Sequence, residues 1–150
     1  MKTHVPASLK AEHDELHHEL AAATKAAGPV GEAARAVATL LHPHFVDEEA
    51  FALPPLGLLM KLAQGEEISD AAAVIALTDR LKAELPRMLG EHQTITAALH
   101  KLEDAARSAG DAARAHLARK IIAHAQAEEE VMYPAAVLVG EWLKVRRSIK

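Results

Sequence analysis

His44-Phe45-Val46-Asp47-Glu48-Glu49 and, eighty positions further on, His124-Ala125-Gln126-Ala127-Glu128-Glu129 are two copies of one pattern, His-x-x-x-Glu-Glu. A Glu-His pair precedes each copy, Glu12-His13 for the first and Glu91-His92 for the second, and a proline follows each, Pro54 and Pro134. The offset is 79 for the leading histidines (13 to 92) and 80 for the later members (44 to 124, 48 to 128). Such self-similarity at fixed spacing is an internal repeat. It preserves histidines and carboxylates rather than only apolar residues, which points to a two-centre metal site shared between the halves.

Working outward, the periodicity around these residues is helical throughout. Alanine and leucine dominate, aromatics make up 3% of the chain, and no strand-type alternation of β-branched residues occurs. Four main helices are expected. The first runs from about Ser8, as N-cap, to Ala27, where Gly28-Pro29 stops it, and the second from about Gly31 to Leu53, before Pro54-Pro55. Pro43 removes a hydrogen bond to the Thr39 carbonyl and should kink the second helix just before His44. The fourth runs from about Asp111 to Val139, with Pro134 bending or ending its regular part. The third begins at Ser69-Asp70 and continues to about Ser108. Unbroken, it would reach roughly 58 Å, so a kink or break is expected near Pro86, leaving an overhang or a separate packed helix before it. Between the second and third helices, Pro55 to Ile68 reads as a short apolar connector, a supplement to the core or a lid over the site.

Steps of three and four place the candidates on the buried seams. The first helix offers Leu9, His13, Leu16, Leu20, Ala23 and Ala27, and the second Val37, Leu41, His44, Glu48 and Phe51. The third offers Leu85, Met88, His92, Ile95, Leu99, Leu102 and Ala106, and the fourth Leu117, Ile121, His124, Glu128, Val131 and Ala135. On every helix the metal-type residues replace apolar ones in the core-facing seam. A buried ionised carboxylate costs several kcal/mol unless it is paired or bound to a cation, so two carboxylates among four imidazoles imply a bound metal pair. His and Glu one turn apart share a face, and two such pairs with two single histidines can converge inside a four-helix bundle. Mixed imidazole and carboxylate ligation suits iron, then manganese, and zinc less well.

The chain has no cysteine, which excludes disulfides, thiolate ligands and thiol redox chemistry. With 150 residues it is expected to be one domain, 1–150, with a core of its own. No apolar run approaches the roughly 20 residues that span a bilayer, so no membrane partner and a cytoplasmic location are expected. The net charge of -4 argues against nucleic-acid binding. The one basic cluster, Lys144, Arg146, Arg147 and Lys150, reads as a solvated helix end.

The order His13, then His44-Phe-Val-Asp-Glu48, then His92, then His124-Ala-Gln-Ala-Glu128 resembles the hemerythrin-like (HHE cation-binding) domain family over about residues 8 to 140. The resemblance implies an all-α, up-down four-helix bundle of hemerythrin type, with an extra helical segment between the second and third bundle helices. It also implies a non-haem pair of iron ions joined by an oxo or hydroxo group, with Glu48 and Glu128 as bridges. His13 and His44 would serve one iron, and His92 and His124 the other. Family members bind oxygen reversibly, sense oxygen or iron, or react with peroxide or nitric oxide. Two departures matter. Oxygen carriers place a second histidine one turn after the third-helix histidine, where this chain has Thr96, and they place the last carboxylate five residues after its histidine, which would select Glu129. Glu128 is preferred because it matches Glu48 in the repeat.

The expected metal ligands are therefore His13, His44, Glu48, His92, His124 and Glu128, with no separate catalytic residue and no organic cofactor. His17, Glu49, Glu129 and Tyr133 stand as further candidates, although Tyr133 lies nine residues after His124 and off its face. His4, His18, His42, His100 and His116 are expected at the periphery. Six protein ligands and a bridge leave roughly one open position per iron. The missing fifth histidine favours a protein that reacts with or senses O2, hydrogen peroxide or NO, drawing on an unnamed electron donor, as a monomer or homodimer. A non-catalytic oxygen- or iron-binding module is the alternative, and a purely structural bundle the third reading.

Overall fold

A computed structural model describes residues 3–149, so Met1, Lys2 and the Lys150 of the basic tail lie outside it. The described residues form helices and no strand. Helix α1 spans Ala7–Ala23, α2 Gly28–Asp47, α3 Leu59–Ala63, α4 Ala71–Ser108, α5 Ala112–Ala127 and α6 Tyr133–Ile149. A π-helical turn, Glu48–Ala52, follows α2 and a second, Glu128–Met132, joins α5 to α6, while Pro54–Leu58 is a short 3-10 helix. Helix α1 packs on α2 and α5, and α4 packs on α2, α5 and α6, so the helices close on a shared interior.

The ends differ from the sequence reading in instructive ways. Helix α1 stops at Ala23 rather than Ala27. The amides of Lys25 and Ala26 donate to the carbonyls of Ala22 and Ala23, and these i to i+3 bonds tighten and end the helix. Ala27 is exposed instead of sitting in the seam. Helix α2 starts at Gly28 rather than Gly31, because Pro29 occupies its first turn, where a missing N–H costs nothing. It continues through Pro43. Between α4 and α5, Gly110 takes φ +69°, and the Asp111 amide reaches back to the Ala106 carbonyl, a glycine-dependent helix stop. Asp111 then caps α5 by accepting from the Arg114 amide at 3.1 Å.

The break expected near Pro86 is absent. Helix α4 runs unbroken for 38 residues, about 57 Å. Leu81 and Met88, on either side of the exposed Pro86, belong to one apolar cluster with Phe51, Leu53 and Tyr133, and this packing holds the two halves together. The N-terminal half is not an overhang, because α6 extends ten residues past the expected end at Val139 and covers it. Val139 and Leu143 pack with Val74 and Leu58. At Gly140 a Cβ would fall 1.7 Å from Thr78 Oγ1, so only glycine permits α6 to approach α4 this closely. The connector supplements the core: its Leu56 and Leu58 are buried, and its Leu59 and Met60 face out.

Besides the small cluster of Val74, Leu58, Val139 and Leu143, these elements leave two larger apolar clusters along the interior. One holds Leu16, Leu20, Val37, Leu41, Phe45, Ile95, Leu99 and Ile121, and the other Phe51, Leu53, Leu56, Leu81, Met88 and Tyr133. On α4 His92 lies in sequence between Met88 of the second cluster and Ile95 of the first, and His124 and Glu128 lie between Ile121 of the first and Tyr133 of the second.

Candidate metal centre

All six expected ligands are buried, none more than 4% exposed. The structure brings them into two groups whose ligand atoms lie within 4.8 Å of one another. One group is His44, Glu48, His92 and Glu128; the other is His13, His124 and Glu128. The grouping differs from the pairing implied by the family resemblance. Each group joins one histidine from each repeat, α2 with α4 and α1 with α5, rather than two from the same repeat.

Both inner carboxylates extend across the two groups. Glu128 Oε1 is 3.2 Å from His92 Nε2, while its Oε2 is 3.2 Å from His124 Nε2 and 3.4 Å from His13 Nε2. Glu48 Oε2 is 3.3 Å from His44 Nε2, and its Oε1 is 3.6 Å from His13 Nε2. The Nε2 atoms of His13 and His124 face each other at 3.1 Å, a separation that calls for a shared proton or a shared cation.

A ring of outer carboxylates sets the tautomers. His44 Nδ1 donates to Glu91 at 2.8 Å, His92 Nδ1 to Glu129 at 3.0 Å, and His124 Nδ1 to Glu12 at 2.5 Å. Glu49 stands 3.6 Å from His13 Nδ1 and is held by Lys10 at 3.0 Å. A carboxylate can only accept, so His44, His92 and His124 each carry a proton on Nδ1 and turn Nε2 inward, the orientation that metal-ligating histidines adopt. The outer acids are repeat partners of one another, Glu12 with Glu91 and Glu49 with Glu129. The repeated Glu-His pair and the second glutamate of Glu-Glu are the sequence signal for them; Glu49 and Glu129 stand in the sequence as candidate ligands rather than as partners of the outer ring nitrogens, and Glu12 and Glu91 carry no expected role.

Tyr133 is the residue that sequence reasoning misplaced. Its hydroxyl donates to Glu48 Oε2 and lies 3.3 Å from His44 Nε2 and 3.2 Å from His92 Nε2. The reason is the π-helical turn. In both copies it starts at the inner glutamate, so that the amides of Leu53 and Tyr133 donate to carbonyls five residues back, those of Glu48 and Glu128. The following prolines, Pro54 and Pro134, lack the N–H that an α-helical turn would use there. The wider turn swings Val131, expected in the seam, out to 63% exposure and carries Tyr133 in. Phe51, the repeat counterpart of Val131, stays buried, with Arg80 of α4 lying 4.2 Å above its ring.

His17 lies outside both groups, exposed, with its ring 5.4 Å from that of His42. His4, His18, His42, His100 and His116 are exposed, as expected. Glu129 sits behind His92, which leaves Glu128 as the inner carboxylate.

The electrostatics of the bare centre ask for positive charge. Burial, followed by the neighbouring Glu128, pushes the Glu48 carboxyl up to about 7. Burial alone would lower His44 and His124, but Glu48 and Glu91 for the first, and Glu128 and Glu12 for the second, raise each to about 9. Burial and the two inner carboxylates drive the Tyr133 phenol far above its ordinary value. Without metal the centre therefore holds protons where cations would neutralise it. Glu48 Oε1 and His13 Nδ1 are buried with no hydrogen-bond partner. Orphaned buried polar atoms are rare unless an ion, a water or a functional role accounts for them, and a metal between Glu48 and His13 would satisfy the carboxylate oxygen. The donor set of imidazole and carboxylate fits metal ions.

The groove between α1 and α2, about 210 Å³ and lined in part by His13, Phe45 and Glu49, leads from the surface to the His13 group. No protein-family model, curated protein or solved structure matches the chain, so the character of the centre rests on these side chains.

Proposed function

We propose that this chain is a non-haem diiron protein with a four-helix bundle of hemerythrin-like type, and that it reacts with or senses a small oxidant, O2, hydrogen peroxide or NO. The observation that carries the reading is the pair of buried imidazole groups sharing Glu128, with Glu48 extending between them and its Oε1 unpartnered. His44 and His92 with Glu48, and His13 and His124, would hold one iron each, with Glu128 common to both. Such ions would supply redox equivalents and open coordination positions for a diatomic molecule or a peroxide.

The chain's own residues do the rest. Glu12, Glu91 and Glu129 lock three imidazoles with Nε2 inward and raise their basicity. The apolar clusters on either side keep bulk water from the centre, which strengthens every charge interaction inside it. Tyr133 holds a proton against Glu48 on the His44 and His92 side, and the α1–α2 groove admits small molecules on the His13 side.

The test is metal content after anaerobic iron(II) loading, followed by optical spectra as O2 and then peroxide are admitted. About two irons per chain, a new charge-transfer band and continued consumption of peroxide establish the redox reading. A band that forms with O2 and reverses under vacuum assigns the chain as a binding module. Failure to retain metal leaves only the structural bundle.

A further inference from the structure

Among the described residues, half of the exposed large apolar side chains lie on one stretch of the chain. Val131, Leu138, Trp142, Val145 and Ile149 are 63, 64, 49, 47 and 76% exposed. From Leu138 they recur in steps of four, three and four, and Ala135, partly exposed, stands three before Leu138. This is the 3.5-residue period of a two-helix seam. It runs along α6 on the side turned away from Ala136, Val139, Gly140 and Leu143, which bury the helix against its own chain. Among the described residues no other helix carries an exposed apolar seam; the remaining examples, Leu40, Val46, Leu59, Met60 and Leu89, are scattered.

A seam of this period is filled by a helix of the same period, and the helix that has it is α6 of a second copy. The flanking charges choose the orientation. Glu141 borders the seam on one side, just before Trp142, and Arg146 on the other, just after Val145. In an antiparallel pair Glu141 would face Glu141, and Arg146 would face Arg146. In a parallel two-fold pair each Glu141 faces Arg146 of the second copy, the attractive arrangement of flanking positions in a parallel coiled coil. Their contacts within the chain do not compete strongly. Glu141 meets Lys82 and Lys144 at 3.3 Å on the exposed surface, and Arg146 uses Nη1 for the Glu66 carbonyl, leaving further donors. A single acid and a single arginine along the seam do not make the basic face that an anionic lipid surface selects.

We propose that α6 pairs in parallel with α6 of a second copy of this chain, through Leu138, Trp142, Val145 and Ile149, with Trp142 at the centre. Two heptads of contact make a small interface, so half-dissociation is expected at about micromolar concentration. The iron-loaded protein, sedimented over a concentration series, should move from a 16.1 kDa species to one of twice that mass. Trp142→Glu should raise the half-dissociation concentration at least about thirtyfold, with helical content and iron content unchanged. Because the chain has no cysteine, Val145→Cys gives a single thiol. In the parallel pair it meets its own copy across the axis, and added diamide, which takes up the two electrons and two protons of the thiol pair, joins them in a covalent dimer, while Leu40→Cys, away from the seam, stays monomeric under the same treatment. A monomer throughout the series overturns the proposal, as does a dimer indifferent to Trp142→Glu. A dimer in which Val145→Cys fails to cross-link overturns the parallel arrangement. A monomer that binds phosphatidylglycerol vesicles through Trp142 assigns the seam to lipid instead. None of these readouts depends on the reaction at the metal centre.

Discussion

The two halves of the centre share a pseudo-two-fold plan and differ in what stands over it. His44 pairs with His92 as His124 pairs with His13, and Glu91 stands behind His44 as Glu12 stands behind His124. The correspondence fails at the aromatic residues. On the His44 and His92 side the Tyr133 hydroxyl lies among the ligand atoms, whereas its repeat counterpart, Leu53, offers none. On the His13 side Phe45 stacks on the imidazole, with centroids 4.1 Å apart and planes 11° apart, and its counterpart is Ala125. One half therefore carries an extra oxygen donor and the other a stacked apolar ring, while surface grooves reach both, the α1–α2 groove at His13 and a larger α2–α4 groove at His44. The repeat supplies the inward imidazoles and carboxylates, and its imperfections make the two groups unequal.

The strongest break of that comparison is removal of the residue both halves share. Glu128→Ala should reduce bound iron from about two to less than one per chain, measured by metal analysis after anaerobic loading. Retention of both ions would show that Glu128 is not common to them. Tyr133→Phe should sharpen the contrast instead, because its hydroxyl reaches the imidazoles of one half only. Both irons should still load, but one should dissociate about tenfold faster, the scale of a lost hydrogen bond to a charged group, and Mössbauer spectra should show one altered iron environment. Equal change at both sites would contradict the asymmetry.

Much of the centre could be read from the chain because its ligands obey the helical period. His44 and Glu48, like His124 and Glu128, are four residues apart and continue apolar seams, so their burial on one face followed from spacing alone. Tyr133 could not be read this way. Its position depends on a π-helical turn that adds a residue to the helix, and the trace left in the sequence is Pro134. The grouping of His13 with His124 was equally hidden, because periodicity says which face is buried but not which helices meet at a given depth. The long α4 was misjudged at Pro86 for a related reason. Whether a proline interrupts a helix depends on what packs around it, here Leu81 and Met88 against a common cluster.

Smaller effects should separate the halves further. Glu91→Gln and Glu12→Gln each remove an outer partner, and each should weaken retention of its own metal by about ten- to a hundredfold. Acting on different halves, they should combine nearly additively in the double variant; strong coupling measured by metal competition would mean that the halves are not independent.

The mildest expected effect is on the pH dependence of the metal-free protein. His44 and His124 are raised to about 9 from 6.5, so their contribution to stability is full below about pH 6.5 and is lost as pH climbs through 9. Glu48, raised from 4.5 to about 7, acts in the same direction between those values. Glu128, lowered below 4.5, acts oppositely, but only in more acidic solution. Thermal melts should therefore show metal-free stability declining from about pH 6 to 9, and metal affinity rising over the same range as protons leave the ligands. A flat profile would show that protons do not stand in for cations.

The most direct measurement is anomalous diffraction at the iron edge from crystals of the anaerobically loaded protein. Two peaks about 3.5–4 Å apart, one beside His44 and His92 and the other beside His13 and His124 with Glu128 between them, are the expected result. A single peak, or iron bound only at surface histidines such as His17 and His42, would contradict a shared two-metal centre.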